Sequence, residues 1–155
     1  MSQSKASLLI GIGNRLRGDD GAGYRLAEAL SLDPPKGVQV IATQQLTMEL
    51  SATLAASQRV LFVDATLDPE RCCRWSAPCL EAMDVTALQA VGLSHQLTPE
   101  ALLAATDALY HCAPKAWQLL LPGLNWGHGD ALSPLTEAAV SASLPLVRAW
   151  SRAHA

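Results

Sequence analysis

No apolar stretch in these 155 residues approaches the about 20 consecutive apolar positions that a membrane-spanning helix requires. The opening residues, MSQSKASLLIGIG, also lack the long apolar core and small-residue cleavage site of a secretory signal. A cytoplasmic protein with no membrane partner is expected. Basic residues are few and scattered, 11 Lys and Arg against 14 Asp and Glu, so no cationic surface for nucleic acid can be assembled. Four cysteines, Cys72, Cys73, Cys79 and Cys112, show neither paired CxxC spacing nor the density of a disulfide scaffold, and read as reduced thiols. Half of the residues are hydrophobic, enough for one ordinary core spanning residues 1 to 155 and burying roughly 70% of the unfolded surface. With no heptad and no long exposed apolar helix, the expected state is a monomer.

The pattern along the chain alternates between two periods. Residues 7 to 12 form a short apolar run ending in glycine, after which Leu26, Ala27 and Leu30 recur at helical spacing. Asp33-Pro34-Pro35-Lys36-Gly37 must break that helix, because proline lacks the amide proton and disfavours helical geometry in its predecessor. Val38 to Ala42 supplies a second, β-branched strand, and Val60-Leu61-Phe62-Val63 reads as a central strand covered on both faces, ending on Asp64. QLTMEL at 45 to 50 and QLTPEAL at 96 to 102 each place a threonine before an alanine- and leucine-rich run, predicting two helix starts capped by Thr47 and Thr98. Leu97 and Leu102 can close a hydrophobic staple over the second of them. Residues 71 to 83 offer one or two shorter strands, and Trp117 to Leu121 a further strand halted by Pro122-Gly123. A last helix is predicted from the Ser133 cap towards Trp150, kinked or divided at Pro145. Such alternation predicts a three-layer α/β/α sandwich around a mostly parallel, about five-stranded central sheet.

In sheets of this kind the loops leaving the carboxyl ends of strands form the ligand crevice, which places the turn at residues 11 to 20 and Asp64 on one edge. The turn GIGNRLRGDDGAG is no dinucleotide fingerprint, since Leu16 stands where a third glycine belongs, and no Gly-Lys-Ser or Gly-Lys-Thr makes it a P-loop. Gly11 and Gly13 permit a sharp bend, and Asn14 can bond to the turn's own backbone. Asp19 and Asp20 could act as helix cap and dipole partner, but a cap occupies only one of them. A second carboxylate at the crevice calls for a cation, and Arg15, Arg17 or a metal ion could serve. Asp64 would add an oxygen ligand. His95, directly before the helix capped by Thr98, is kept neutral by the positive helix end and so retains a lone pair for metal. Asp20, Asp64 and His95 together make an O, O, N set suited to a divalent ion with open positions.

Several other features have a plainer alternative. Gly127-His128-Gly129-Asp130, beside Trp126, could border a substrate groove or be only a glycine-rich surface loop. Cys72, Cys73 and Cys79 could bind a soft metal or be redox-silent thiols. Trp117, Trp126 and Trp150 are too far apart to form a stripe and are expected to fill core or interface space.

Taken together, GIGNRLRGDDGAG after the first strand, VLFVDA at the third and SHQLTPE before a helix resemble the [NiFe]-hydrogenase maturation endopeptidase family, with LSP at 132 to 134 extending the likeness over almost the whole chain. The resemblance implies an endopeptidase that removes a short C-terminal extension from the precursor of a hydrogenase large subunit once nickel has been inserted. It implies catalytic and metal-ligating roles for Asp20, Asp64 and His95, with nickel supplied by the precursor rather than held by the free enzyme. Many relatives carry glutamate where Asp20 stands, so the site is either slightly wider or its backbone slightly closer. Asp19 is left as a candidate acid standing behind the ligands. A non-proteolytic nickel-checkpoint chaperone using the same ligands, and a nucleotide-binding domain using the glycine turn, remain as alternatives.

Overall fold

The computed structural model describes residues 5–68, 77–83 and 97–153. Among the described residues, five strands form one sheet: β1 (Ser7–Ile12), β2 (Val38–Thr43), β3 (Arg59–Thr66), β4 (Cys79–Ala82) and β5 (Lys115–Pro122). Their order is β2-β1-β3-β5-β4, parallel throughout except for the antiparallel edge strand β4. The helices are α1 (Ala22–Ser31), α2 (Leu50–Ala55), α3 (Pro99–Tyr110) and α4 (Pro134–Arg152).

Strand parity distributes the core. Leu9, Leu61 and Val63 pack with Leu26 and Leu30 of α1 and Val147 and Trp150 of α4 on one face. Leu8, Ile10, Val60 and Phe62 pack with Leu54 of α2 and Leu102 and Leu103 of α3 on the other. The sheet is therefore the middle layer of three, as expected, and β3 at its centre is apolar on both faces because both are covered. β2 and β3 flank β1 on opposite sides, so the strand order reverses beside β1, where open sheets of this kind form their crevice.

Local chemistry explains most of the boundaries. Thr98 caps α3 by accepting a hydrogen bond from the Ala101 amide at 3.1 Å, with Pro99 in the first helical position and Leu97 packed against the cluster that holds Leu102. Ser133 caps α4 in the same way through the Thr136 amide. The predicted cap at Thr47 does not form. Residues 47–50 make a turn with the Leu50 amide on the Thr47 carbonyl at 3.1 Å, and α2 begins only at Leu50 with no side-chain cap. Without a proline to preset the first turn, as Pro99 does for α3, one turn of the predicted helix is spent on the turn itself. Pro145 does not divide α4, which runs through it to Arg152.

Away from the crevice, Arg59 at the start of β3 is only 4% exposed. Its guanidinium donates to Ser7 Oγ at 2.9 Å and to the carbonyls of Trp150 and Ser151 at 2.7 and 2.9 Å, and lies 4.3 Å from the Trp150 ring centroid. A cation thus meets the negative end of α4 and fastens the last helix to the sheet. Trp117 meets Trp150 edge to face at 5.9 Å, so these two tryptophans fill core space as expected. Arg59→Ala should lower unfolding free energy by about 3 kcal/mol, because it strands helix-end carbonyls as well as deleting charge-assisted bonds. Urea unfolding tests this, and a loss below about 1 kcal/mol would reduce the anchor to ordinary packing.

Candidate functional site

The turn after β1 is built by backbone approach. A Cβ at Gly13 would collide with the Asp20 carbonyl oxygen, and one at Gly23 with the carbonyl oxygens of Ile12 and Val63, so α1 starts directly on the ends of β1 and β3. Asn14 organises the bend as its side-chain chemistry suggests: its Oδ1 accepts from the Leu16 amide at 3.0 Å and its carbonyl from the Arg17 amide at 3.1 Å. A single 3-10 turn, Gly18–Gly21, then carries both aspartates.

The two acids separate completely. Asp19 is fully buried, and its carboxylate accepts from the amides of Leu124, Asn125 and Ser133 at 2.8, 2.9 and 2.7 Å and from the Ser133 hydroxyl at 2.8 Å. Its own amide donates to the Asn125 carbonyl at 2.8 Å. Neither aspartate caps α1, whose first turn has no side-chain cap. All its carboxylate partners belong to the loop between β5 and α4 or to the start of α4, so Asp19 ties that loop to the first turn. Burial works against its ionisation, but the three amides and the hydroxyl outweigh it and hold the carboxyl below its ordinary range.

Asp20, half-buried, faces the other way and accepts from the Asn14 amide at 3.2 Å. It borders a cavity of about 390 Å³ that Asp64 also lines. Asp64 continues the β3 face on which Val60 and Phe62 meet α2 and α3, and its Oδ1 accepts from the Ala65 amide at 2.8 Å. Leu97, Thr98 and Pro99 bring the start of α3 to the same cavity. His95 itself lies outside the described residues, as do Cys72 and Cys73; Leu97, two positions beyond His95, borders the cavity. Among the described residues no three His, Cys, Asp or Glu side chains cluster to hold a metal ion, so the two carboxylates alone leave a ligand set incomplete. Two carboxylate oxygen donors in an accessible polar cavity still suit a hard or borderline divalent ion that brings other ligands with it.

Of the two candidate cations, Arg17 lines this cavity. Arg15 does not: it pairs with Glu28 at 3.4 Å and lies 5.6 Å from the Tyr24 ring centroid. Trp126, expected in core or interface space, also lines the cavity, which makes its loop a border of the groove rather than bare surface. Pairing explains why: Gly18 donates to Gly129 at 2.9 Å and Gly129 to Leu16 at 2.9 Å, drawing the glycine-rich loop onto the first turn. Gln44 and Gln45, which border the cavity beyond β2, were not singled out in the sequence; only their place after a parallel strand could have flagged them.

Asp19 gives a pH prediction with a definite sign. The unfolded carboxyl takes up its proton near pH about 3.9, the native one only at lower pH, so the stabilisation is complete above that value and is lost as pH falls through the native pKa. Asp19→Asn should therefore be less stable than the parent at neutral pH, with the gap closing below pH about 4. Urea midpoints measured across pH would contradict this if the gap stayed constant.

No protein-family model matches the sequence, and neither does any curated protein. Solved structures do match. The hydrogenase maturating endopeptidase HybD from E. coli superposes with a TM-score of 0.78 at 22% identity, covering 96% of this chain and 93% of that one. The [NiFe] hydrogenase maturation protease HycI from Thermococcus kodakarensis gives 0.71 at 20% identity over 97% and 95%. A hydrogenase 2 maturation peptidase from Thaumarchaeota archaeon SCGC_AB-539-E09 gives 0.64 at 25% identity over 92% and 95%. The likeness noted in three short motifs thus extends to the backbone fold over nearly the entire chain.

Proposed function

We propose that this protein is a nickel-dependent endopeptidase that trims the C-terminal extension from a [NiFe]-hydrogenase large-subunit precursor after nickel insertion. The observation that carries this reading is the convergence of Asp20 and Asp64, 44 positions apart in sequence, on one cavity beside the start of α3. Proteins sharing the fold over nearly their full length, named as hydrogenase maturation proteases, support it.

In this reading nickel arrives as part of the substrate. Carboxylate oxygens of Asp20 and Asp64, with the imidazole of His95, complete its coordination and thereby fix the adjoining peptide in the cavity. An incoming divalent ion would also add positive charge to a cavity lined by two carboxylates and by Arg17. Substrate binding is then favoured only when metal is present, which makes cleavage conditional on loading. A water that gives up a proton to a carboxylate adds to the polarised carbonyl; the tetrahedral adduct collapses as the leaving amide nitrogen takes that proton from the carboxyl group, which returns to carboxylate. The products are the shortened subunit and a free peptide.

Mass spectrometry of a nickel-loaded precursor incubated with the protein tests the reading. The precursor should lose one C-terminal peptide, and the nickel-free precursor should not. Asp20→Asn and Asp64→Asn should each slow cleavage by about 100-fold or more without loss of fold. An unchanged precursor mass would leave a nickel-checkpoint chaperone instead. Normal cleavage by a variant combining Asp20→Asn, Asp64→Asn and His95→Ala would overturn the assigned site.

A further inference from the structure

A second cavity, of about 570 Å³, adjoins the first, sharing Gly13, Asn14 and Gln44 with it. Its walls come from Ala42 and Thr43 at the end of β2 and from Tyr24 of α1. Among the described residues, β2 is an edge strand of the sheet. In a parallel pair, the N–H and C=O of one residue point to the same side and those of the next residue to the other. The Gly13 amide donates to the Thr43 carbonyl at 3.0 Å and the Ser7 amide to the Gly37 carbonyl at 2.9 Å, so odd-numbered residues of this segment face β1. Val40 and Ala42 therefore turn their backbone groups outward, and these find no hydrogen-bond partner among the described residues.

Edge strands of soluble proteins are normally shielded by charge, proline or a bulge. β2, VQVIAT, contains no charge and no proline, and it is paired with β1 residue for residue, without a bulge. The carboxyl end of β2 borders the second cavity through Ala42 and Thr43, and Gln44 just beyond it lines both cavities. An endopeptidase must hold the polypeptide on both sides of the bond it cuts, and a cavity of about 390 Å³ accommodates only a few residues. The chain must continue into a neighbouring groove, and the one sharing three lining residues with the cavity includes Ala42, whose outward backbone groups find no partner among the described residues.

We propose that the outer edge of β2 is the docking strand for the substrate's C-terminal extension, which adds to the sheet as an antiparallel strand through the backbone of Val40 and Ala42. The inference rests on the endopeptidase reading for the identity of the occupant. Direction follows from geometry: the carboxyl end of β2 lies at the site, so residues following the scissile bond run away from it only by running antiparallel to β2. The extension is also the part of the substrate free to lie along an edge, whereas the preceding residues lead into a folded subunit. Main-chain pairing makes recognition tolerant of sequence, with Tyr24 and Arg15 as a side wall for one or two side chains.

Two measurements test this. A synthetic peptide of the extension, titrated into isotope-labelled protein, should shift the Val40 and Ala42 amide resonances and slow their solvent exchange about tenfold. Shifts confined to other residues, or no binding at millimolar peptide, would overturn the proposal. Ala42→Pro removes an outward amide without touching the bonds to β1, and should raise KM for the nickel-loaded precursor about tenfold with kcat little changed. A folded variant with unchanged KM sinks the docking strand while the endopeptidase stands. A parent protein that cleaves nothing sinks the endopeptidase, and the peptide titration still decides the strand.

Discussion

The carboxylate of Asp19 is the contact on which the geometry of the crevice depends. Four donors converge on it from the loop after β5 and the cap of α4, while its backbone belongs to the turn after β1. The carboxyl ends of the first and last strands are thereby fastened at a single buried anion. A residue without a side-chain acceptor there would leave three amides seeking partners, each at a cost of about 1–3 kcal/mol. The tie continues outward: the Ser133 hydroxyl that donates to Asp19 also accepts from the Thr136 amide, and the Thr136 hydroxyl donates to the Pro122 carbonyl at 2.7 Å. Strand end, helix cap and first turn form one hydrogen-bonded unit, and Trp126 is held at the cavity by the loop inside it.

The arrangement of layers was legible in the sequence because its signals are local and periodic. Continuous apolar runs marked β1, β3 and β5, and Pro99 and Pro134 with Thr98 and Ser133 before them marked α3 and α4. The prediction failed at Thr47, where the same residue type lacked the proline that presets the first turn, and Pro145 does not divide α4, because packing along the helix overrides an interior proline. Pro145 lies between Ser143 and Val147, both fully buried, so its turn of helix is held against the sheet whatever its propensity.

The site was legible in part. Asp20 and Asp64 could be placed on one edge by the rule that parallel strands present their carboxyl ends to the crevice, and both line the cavity there. His95 lies outside the described residues, so its part in the site rests on the sequence motif and on Leu97 beside the cavity. The function of Asp19 was not readable, because its partners stand more than 100 positions away and no periodicity links an acid to distant backbone amides. Trp126 was assigned to core or interface space, although its loop was weighed as a groove border, because the pairing of Gly18 with Gly129 that brings the loop inward is a backbone contact with no side-chain signature.

The adjacent aspartates illustrate how a short turn divides labour. In a 3-10 turn successive side chains diverge by roughly 120°, so two neighbouring acids cannot address the same environment. One points inward and is satisfied by fixed donors; the other emerges at the cavity with a single long contact from Asn14. The inward acid needs no metal, since backbone dipoles already neutralise it. The outward one keeps most of its coordinating capacity available, in a cavity shared with Asp64 and with Arg17 as the nearby cation. Of the two neighbours, Asp20 is therefore the one that borders the cavity with Asp64, and Asp19 the one that holds the backbone of the turn in place.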